Sequence, residues 1–313
     1  MYDYLLHIAV LCGIYVVLSI SLNLAVGFTG LFNIGHAAFY GIGAYTSALL
    51  TLAGVPWWIA LIASAIMAGL FGFMVGVPCL RLRGDYLAIA TLGFGEIIRA
   101  VMKNWTGLTR GPLGLPGIPK PSLFGVQFAS IDMYLLLVVV VAIITVVIVN
   151  RLVKSPFGRV LKSIREDEIA AKSLGKNVVK YKLQALTLSA MFAGVAGSLY
   201  AHYITFIDPS TFTLMETVLM LCMVVLGGAG SIIGSVVGAI ILVILPEPLR
   251  FISLPSSAAA ALRQMIYSVS LILMMIFRPQ GIFGETSTTK KFDLRKLLGM
   301  KKPKIKLRTK KNA

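Results

Sequence analysis

Four ionisable side chains, His36, Glu96, Arg99 and Glu216, fall inside otherwise apolar runs of this 313-residue chain. An ionisable group within a hydrocarbon layer is costly, so each should face protein or water and serve as a ligand, a proton relay or half of an ion pair. Glu96 and Arg99 stand three residues apart, the spacing that puts two side chains on one helix face, and can pair with each other. His36 sits among glycines and alanines, where hydrogen-bonded packing competes with a role as ligand. Asn23, Asn33, Thr46 and Thr91 could add polar lining, although nothing in their spacing selects them. His7, His36 and His202 are too far apart to suggest a metal cluster. No G-x-x-x-x-G-K-[ST] run occurs, so the chain supplies no phosphate-binding ATPase loop of its own. The chemistry on offer is binding and passage, not bond making.

The elements that must position these groups are set by composition. Hydrophobic residues make up 58% of the chain and charged residues 13%, against about 25% charged in soluble domains. Apolar stretches recur at lengths that cross a ~30 Å hydrocarbon core as helix. Continuous rather than alternating apolarity argues against a β-barrel. We expect an all-α polytopic membrane protein with about nine spans (8–10), near residues 4–26, 34–53, 57–79, 86–103, 134–150, 183–202, 214–229, 231–247 and 260–277. The first run lacks a basic leader and is too long for a cleavable signal, so it should remain as a span. The segment 34–53, with Gly35, Gly41 and Gly43, could be broken or re-entrant. Prolines 112, 116, 119 and 121 mark 104–130 as an irregular loop. Trp57, Trp58 and Trp105 suit interfacial anchors. Cys12, Cys79 and Cys222 lie in apolar runs and read as inert thiols.

The formal charge of +17 is concentrated in two places. Residues 151–182 carry nine Lys/Arg against Glu166, Asp167 and Glu168, and residues 290–311 carry eleven against Asp293. Basic short loops stay cytoplasmic, so the pI reports loop placement and not nucleic acid. Placing both stretches inside also puts Arg81 and Arg83 inside and the N-terminus outside. The domain organisation is then a permease domain over 1–284, with a cytoplasmic loop at 151–182, and a basic tail over 285–313 beside anionic headgroups.

Within the loop, Ser155 or Pro156 can start a helix. Phe157, Val160, Leu161 and Ile164 recur at helical spacing among charges, and Gly175 is a natural stop. This describes a short amphipathic helix pair. Gly72 and Gly76, and Gly230, Gly234 and Gly238, recur every four residues and mark faces where helices approach closely.

The loop segment GRVLKSIREDEIAAKSLGKN (158–177) resembles the cytoplasmic coupling loop of ABC importer permeases, with its E-A-A-type core at Glu168–Ala171 followed by Gly175. The chain as a whole resembles the LivM-type permeases of branched-chain amino acid ABC transporters. The blocks that carry this are SLNLAVGFTGLFNIGHAAFYGIGAYTSALL (21–50), DYLAIATLGFGEIIRAVMKNWTGLTRGPLGLPGI (85–118), DPSTFTLMETVLMLCMVVLGGAGSIIGSVVGA (208–239) and FRPQGIFG (277–284). The resemblance implies a permease subunit in the plasma membrane that is not itself an enzyme and holds no cofactor, ATP and Mg being bound by partner subunits. Its implied partners are a second homologous permease, two cytoplasmic ATPases, an extracytoplasmic binding protein and the lipid bilayer. Leucine, isoleucine and valine are the implied cargo. Urea or short amides are the alternative cargo, and a stand-alone secondary transporter is the alternative class. The ATPase-coupling surface is expected at Arg165, Glu166, Glu168, Ala171 and Gly175, and the translocation path at Asn33, His36 and Glu96.

Overall fold

A computed structural model describes residues 2–80, 82, 84–123, 126–128, 130–247, 262, 265, 266, 268, 269, 272, 273, 276 and 281–283. Arg81, Arg83, most of the expected 260–277 span and the 285–313 tail lie outside these.

Helices stand at each of the other eight expected spans. They are α1 (Tyr2–Thr29), α2 (His36–Leu52), α3 (Trp57–Cys79) and α4 (Asp85–Asn104), followed by the single turn α5 (Thr106–Thr109) and then α6 (Ile131–Lys154). Two short helices, α7 (Pro156–Glu166) and α8 (Glu168–Ser173), precede α9 (Val178–Ile204), α10 (Leu214–Gly227) and α11 (Ile232–Ile244). By length and apolarity α1, α3, α6 and α9 are able to cross a membrane, while α10 and α11 are shorter apolar helices. The 34–53 segment contains a regular 17-residue helix rather than a broken one.

The loop after α4 folds partly into strands that composition did not suggest. β1 (Leu115–Pro116) pairs antiparallel with β4 (Phe206–Ile207), and β2 (Ser122–Leu123) with β3 (Val126–Gln127). Proline at 116 is tolerated because the ribbon is two strands wide and both are edges.

The helix α9 is the axis of the bundle, packed against α1, α2 and α3. Small residues make this possible, because lipid tails compete equally for apolar surface and close backbone approach must drive association. A methyl group on Gly72 would lie 2.6 Å from the Ala190 Cβ, and one on Gly194 would lie 2.6 Å from the Ala68 Cβ. Serines on these seams add interhelical bonds. Ser189 Oγ donates to Ser21 O at 2.6 Å, and Ser47 Oγ lies 2.7 Å from Ser198 Oγ and 2.9 Å from His202 Nε2.

The seam between α10 and α11 follows the same rule through Gly227, Gly234 and Gly238. Gly230 departs from the expected helical face. It lies in the turn before α11 with φ +88°, a conformation glycine adopts without penalty.

Candidate functional site

Two regions concentrate the expected functional residues. The first is the break between α1 and α2. Residues 30–35 leave helical geometry, starting at Gly30 with φ +73°. Asn33 closes the break locally, its Oδ1 accepting from Gly35 N at 3.0 Å. Two threonines from other helices complete it. Thr91 Oγ1 of α4 accepts from Ile34 N at 3.1 Å, and Thr217 Oγ1 of α10 accepts from Ala37 N at 3.0 Å. Ala37 N, a free amide in the first turn of α2, and Ile34 N in the break before it are thereby satisfied from outside.

A narrow cleft opens at this junction, walled by Ala38, Leu92, Glu96, Phe212, Leu214 and Thr217. Its free volume, about 10 Å³, is that of a single water. The helices are therefore closed around it.

Of the three expected path residues, Glu96 alone is in the cleft wall. It is tied to Arg99, whose Nη2 and Nε donate to Glu96 Oε2 at 2.6 and 3.0 Å, the pairing that their spacing suggested. His36 is fully buried, and Asn33 nearly so, and neither is in that wall. The Nε2–H tautomer of His36 fits its surroundings. It donates to Ser21 Oγ at 2.8 Å, the Ser21 hydroxyl donates to Leu18 O at 2.6 Å, and Asn33 Nδ2 lies 3.5 Å from His36 Nδ1. In this arrangement His36 fastens α2 to α1, and Asn33 steadies its ring from the break. Glu216, in the first turn of α10, accepts from Tyr15 at 2.7 Å, a carboxylate placed where a helix N-terminus favours negative charge.

The second region is the basic loop. Ser155 ends α6 and begins α7, with Pro156 in the first turn. Asp167 then separates α7 from α8 and caps the latter, accepting from Ile169 N and Ala170 N at 2.8 and 2.9 Å. Asp at an N-cap is the expected choice, and it explains why one amphipathic run becomes two helices. Gly175, at φ +76°, turns the chain toward α9.

Three apolar residues, Ile164, Ala171 and Val178, close into a small core joining α7, α8 and α9. Ala171 is 2% exposed, so it seats α8 on α9 and does not present itself as surface. That corrects its expected place on an outward face. Glu168 is outward but engaged, accepting from Lys182 Nζ at 2.7 Å. Glu166 is exposed. The outward surface also holds two apolar side chains that the sequence reading did not select, Ile169 at 74% and Leu174 at 79% exposure.

Arg165 turns the other way. Its guanidinium donates to Gly27 O of α1 and, at 3.3 Å, to Ala229 O in the turn after α10. The corner of α7 and α8 therefore touches the end of α1, which runs on into the break at 30–35, and the turn that follows α10.

The family described as branched-chain amino acid transport system / permease component matches residues 4–277. The chain is 41% identical to the high-affinity branched-chain amino acid transport system permease protein LivM of Escherichia coli K12, over 89% of this chain and 70% of that one. It is 26% identical to the probable branched-chain amino acid transport permease protein LivM of Methanocaldococcus jannaschii, over 87% of this chain and 91% of that one. It is also 30% identical to the autoinducer 2 import system permease protein LsrC of E. coli SMS-3-5, over 69% of this chain and 63% of that one. No solved structure matches.

Proposed function

This chain belongs to the permease family of branched-chain amino acid transport systems, and from that premise we propose that it forms one half of the membrane pathway of an ATP-binding cassette importer for leucine, isoleucine and valine. A second homologous permease supplies the other half. Two cytoplasmic ATPases bind ATP and Mg and supply the energy, and an extracytoplasmic binding protein delivers the amino acid. The chain makes and breaks no covalent bond itself. It lies in the cytoplasmic membrane with its N-terminus outside and its C-terminus inside.

One observation carries the mechanism. The loop between α6 and α9 exposes Ile169 and Leu174 on one side and is bonded to helix ends on the other. Exposed large apolar residues on an otherwise charged surface favour a protein partner. With Glu166, Glu168 and the Gly175 turn they form the ATPase-facing surface. Closure of the ATPases shifts α7 and α8 together, because the Ile164–Ala171–Val178 core joins them. That shift must favour one state of the cleft over the other if it is to drive transport.

The cleft fits an aliphatic amino acid in its chemistry: apolar walls from Leu92, Phe212 and Leu214, with one carboxylate, Glu96. It must widen to admit one. Passage therefore follows separation of the α1–α2 break from α4 and α10.

The deciding experiment is competition uptake in vesicles holding the complete importer and binding protein. Excess unlabelled leucine, isoleucine and valine should each suppress labelled leucine uptake, and urea should not. Suppression by urea would move the cargo to short amides, and uptake without ATP would move the chain to secondary transport.

A further inference from the structure

The ends of α1 and α10 show unusual bookkeeping of backbone carbonyls. The last carbonyls of a helix have no partner within it and must find one elsewhere. At the end of α1, Val26 O accepts from Gly30 N at 3.1 Å, and Ala25 O accepts from Leu31 N at 3.0 Å and Thr29 Oγ1 at 2.7 Å. After α10, Leu226 O and Gly227 O each accept at 2.9 Å, from Ile282 N and Phe283 N, and Gly228 O accepts from Ser231 N at 3.1 Å. Gly27 O, in the last turn of α1, and Ala229 O, in the turn after α10, both accept from Arg165.

We propose that Arg165 is the positioning residue that transmits movement of the α7–α8 corner to α1 and α10, by bridging Gly27 O in the last turn of α1 and Ala229 O in the turn after α10 with one guanidinium. The assignment rests on the reading of that corner as the ATPase contact. It goes beyond it by naming the residue and the two helices that move.

Three features support it. A cation at helix C-termini is favoured by the helix dipole, and two C-terminal ends converge here. Both bonds come from Nη1, whose two N–H groups lie in the rigid guanidinium plane, so one nitrogen can hold two acceptors at a set separation. Gly230 clears the space, since a methyl group there would collide with Arg165 Nη1. Both bridged elements lead to the cleft. The α1 end continues into residues 30–35, and α10, about 21 Å long at 1.5 Å per residue, carries Leu214 and Thr217 at its far end. Lys162, one turn earlier on α7, lies over the Phe28 ring with 5.9 Å to its centroid, so α7 is also guided against α1 at a second point.

The test uses full-length protein in the reconstituted importer, with leucine taken up per ATP hydrolysed as the readout. Arg165→Ala should co-purify with the ATPases and lose about tenfold in that ratio, the effect of one charge-assisted hydrogen bond. Stimulation of hydrolysis by leucine-loaded binding protein should fall with it. Arg165→Lys, which keeps the charge but places its ammonium short of the Nη1 position, should recover part. Arg159→Ala, which removes an exposed charge from the same helix, should match the unmodified protein. A normal ratio in Arg165→Ala, loss of the ATPases from that variant, or an equal defect in Arg159→Ala would each overturn the assignment. If Arg165→Ala does not accumulate, Arg165→Lys decides alone: a reduced ratio supports the bridge, and a normal one overturns it. Absence of ATPases from the unmodified complex would instead refute the underlying reading of the corner.

Discussion

Asn23 of α1 bonds the backbone of two successive residues, Gly230 and Ser231, through the two ends of its amide. Its Oδ1 accepts from Gly230 N at 2.9 Å, and its Nδ2 donates to Ser231 O at 3.0 Å. The turn between α10 and α11 is thus fastened to α1 one helical turn before Gly27, whose carbonyl Arg165 engages. A buried amide that spends both donor and acceptor on backbone fixes one register between elements that apolar packing would leave free to slide.

Asn23→Asp tests this fastening. The carboxylate can still accept from Gly230 N but faces Ser231 O with no donor. Leaving a buried polar group unpaired costs about 1–3 kcal/mol. The variant should unfold at lower temperature in detergent, with Asn23→Ala similarly affected. Unchanged melting of both would show that the turn holds itself.

The α10–α11 seam should be intolerant of even one methyl group. A Cβ on Gly238 would lie 2.9 Å from Gly227 N and 3.1 Å from Gly227 Cα, all of it backbone that cannot swing aside. Overpacking of this kind costs about 1–3 kcal/mol. Gly238→Ala should therefore lower the melting temperature, and Gly238→Val should lower it further. By contrast Gly93, which has open space around its Cβ position, should accept alanine with no loss. Equal melting of Gly238→Ala and Gly93→Ala would refute close packing at this seam.

Ile169 and Leu174 give a prediction on partners rather than on stability. Surface substitutions away from structural features usually change stability by within about 0.5 kcal/mol. The pair Ile169→Ser and Leu174→Ser should leave melting of the isolated permease in place while abolishing co-purification with the ATPases. Retention of the ATPases would move the contact elsewhere on the loop.

The long helices were legible because their apolar runs are continuous, and 57–79 matches α3 end to end. The loop helices were legible from Pro156 and Gly175, which punctuate the chain by backbone geometry. The cleft was not. Thr91 and Thr217 accept from amides 57 and 180 positions away, yet Thr91 also bonds back to Ala88 O in its own helix, much as Thr46 and Thr145 do to their fourth preceding carbonyls. A helical threonine is ordinarily satisfied in that local way, so residue type alone does not separate the two uses. His36 stayed open between packing and ligand for a related reason. A lone histidine among small residues is consistent with a ligand, and only the positions of Ser21 and Asn33 show both ring nitrogens directed at neighbours. The direction of Arg165 is likewise a tertiary fact, since its partners lie on α1 and after α10.

Glu96 leaves two roles to separate, because it both borders the cleft and pairs with Arg99. The pair is partly open, at 40% exposure for Arg99 and 42% for Glu96, so the bond between them contributes little as a surface-type ion pair. A carboxylate at the edge of an apolar passage is better matched to the ammonium group of an amino acid, which would exchange places with the guanidinium as the cleft widens. On that reading Glu96→Gln raises the half-saturating leucine concentration by about tenfold, the scale of a lost charge-assisted hydrogen bond. The exchange Glu96→Arg with Arg99→Glu separates the roles: it rebuilds the ion pair but moves the carboxylate one turn along α4. Uptake should stay impaired in the double variant although its melting temperature equals that of the unmodified protein. Restored uptake would make the pair structural and remove Glu96 from the path.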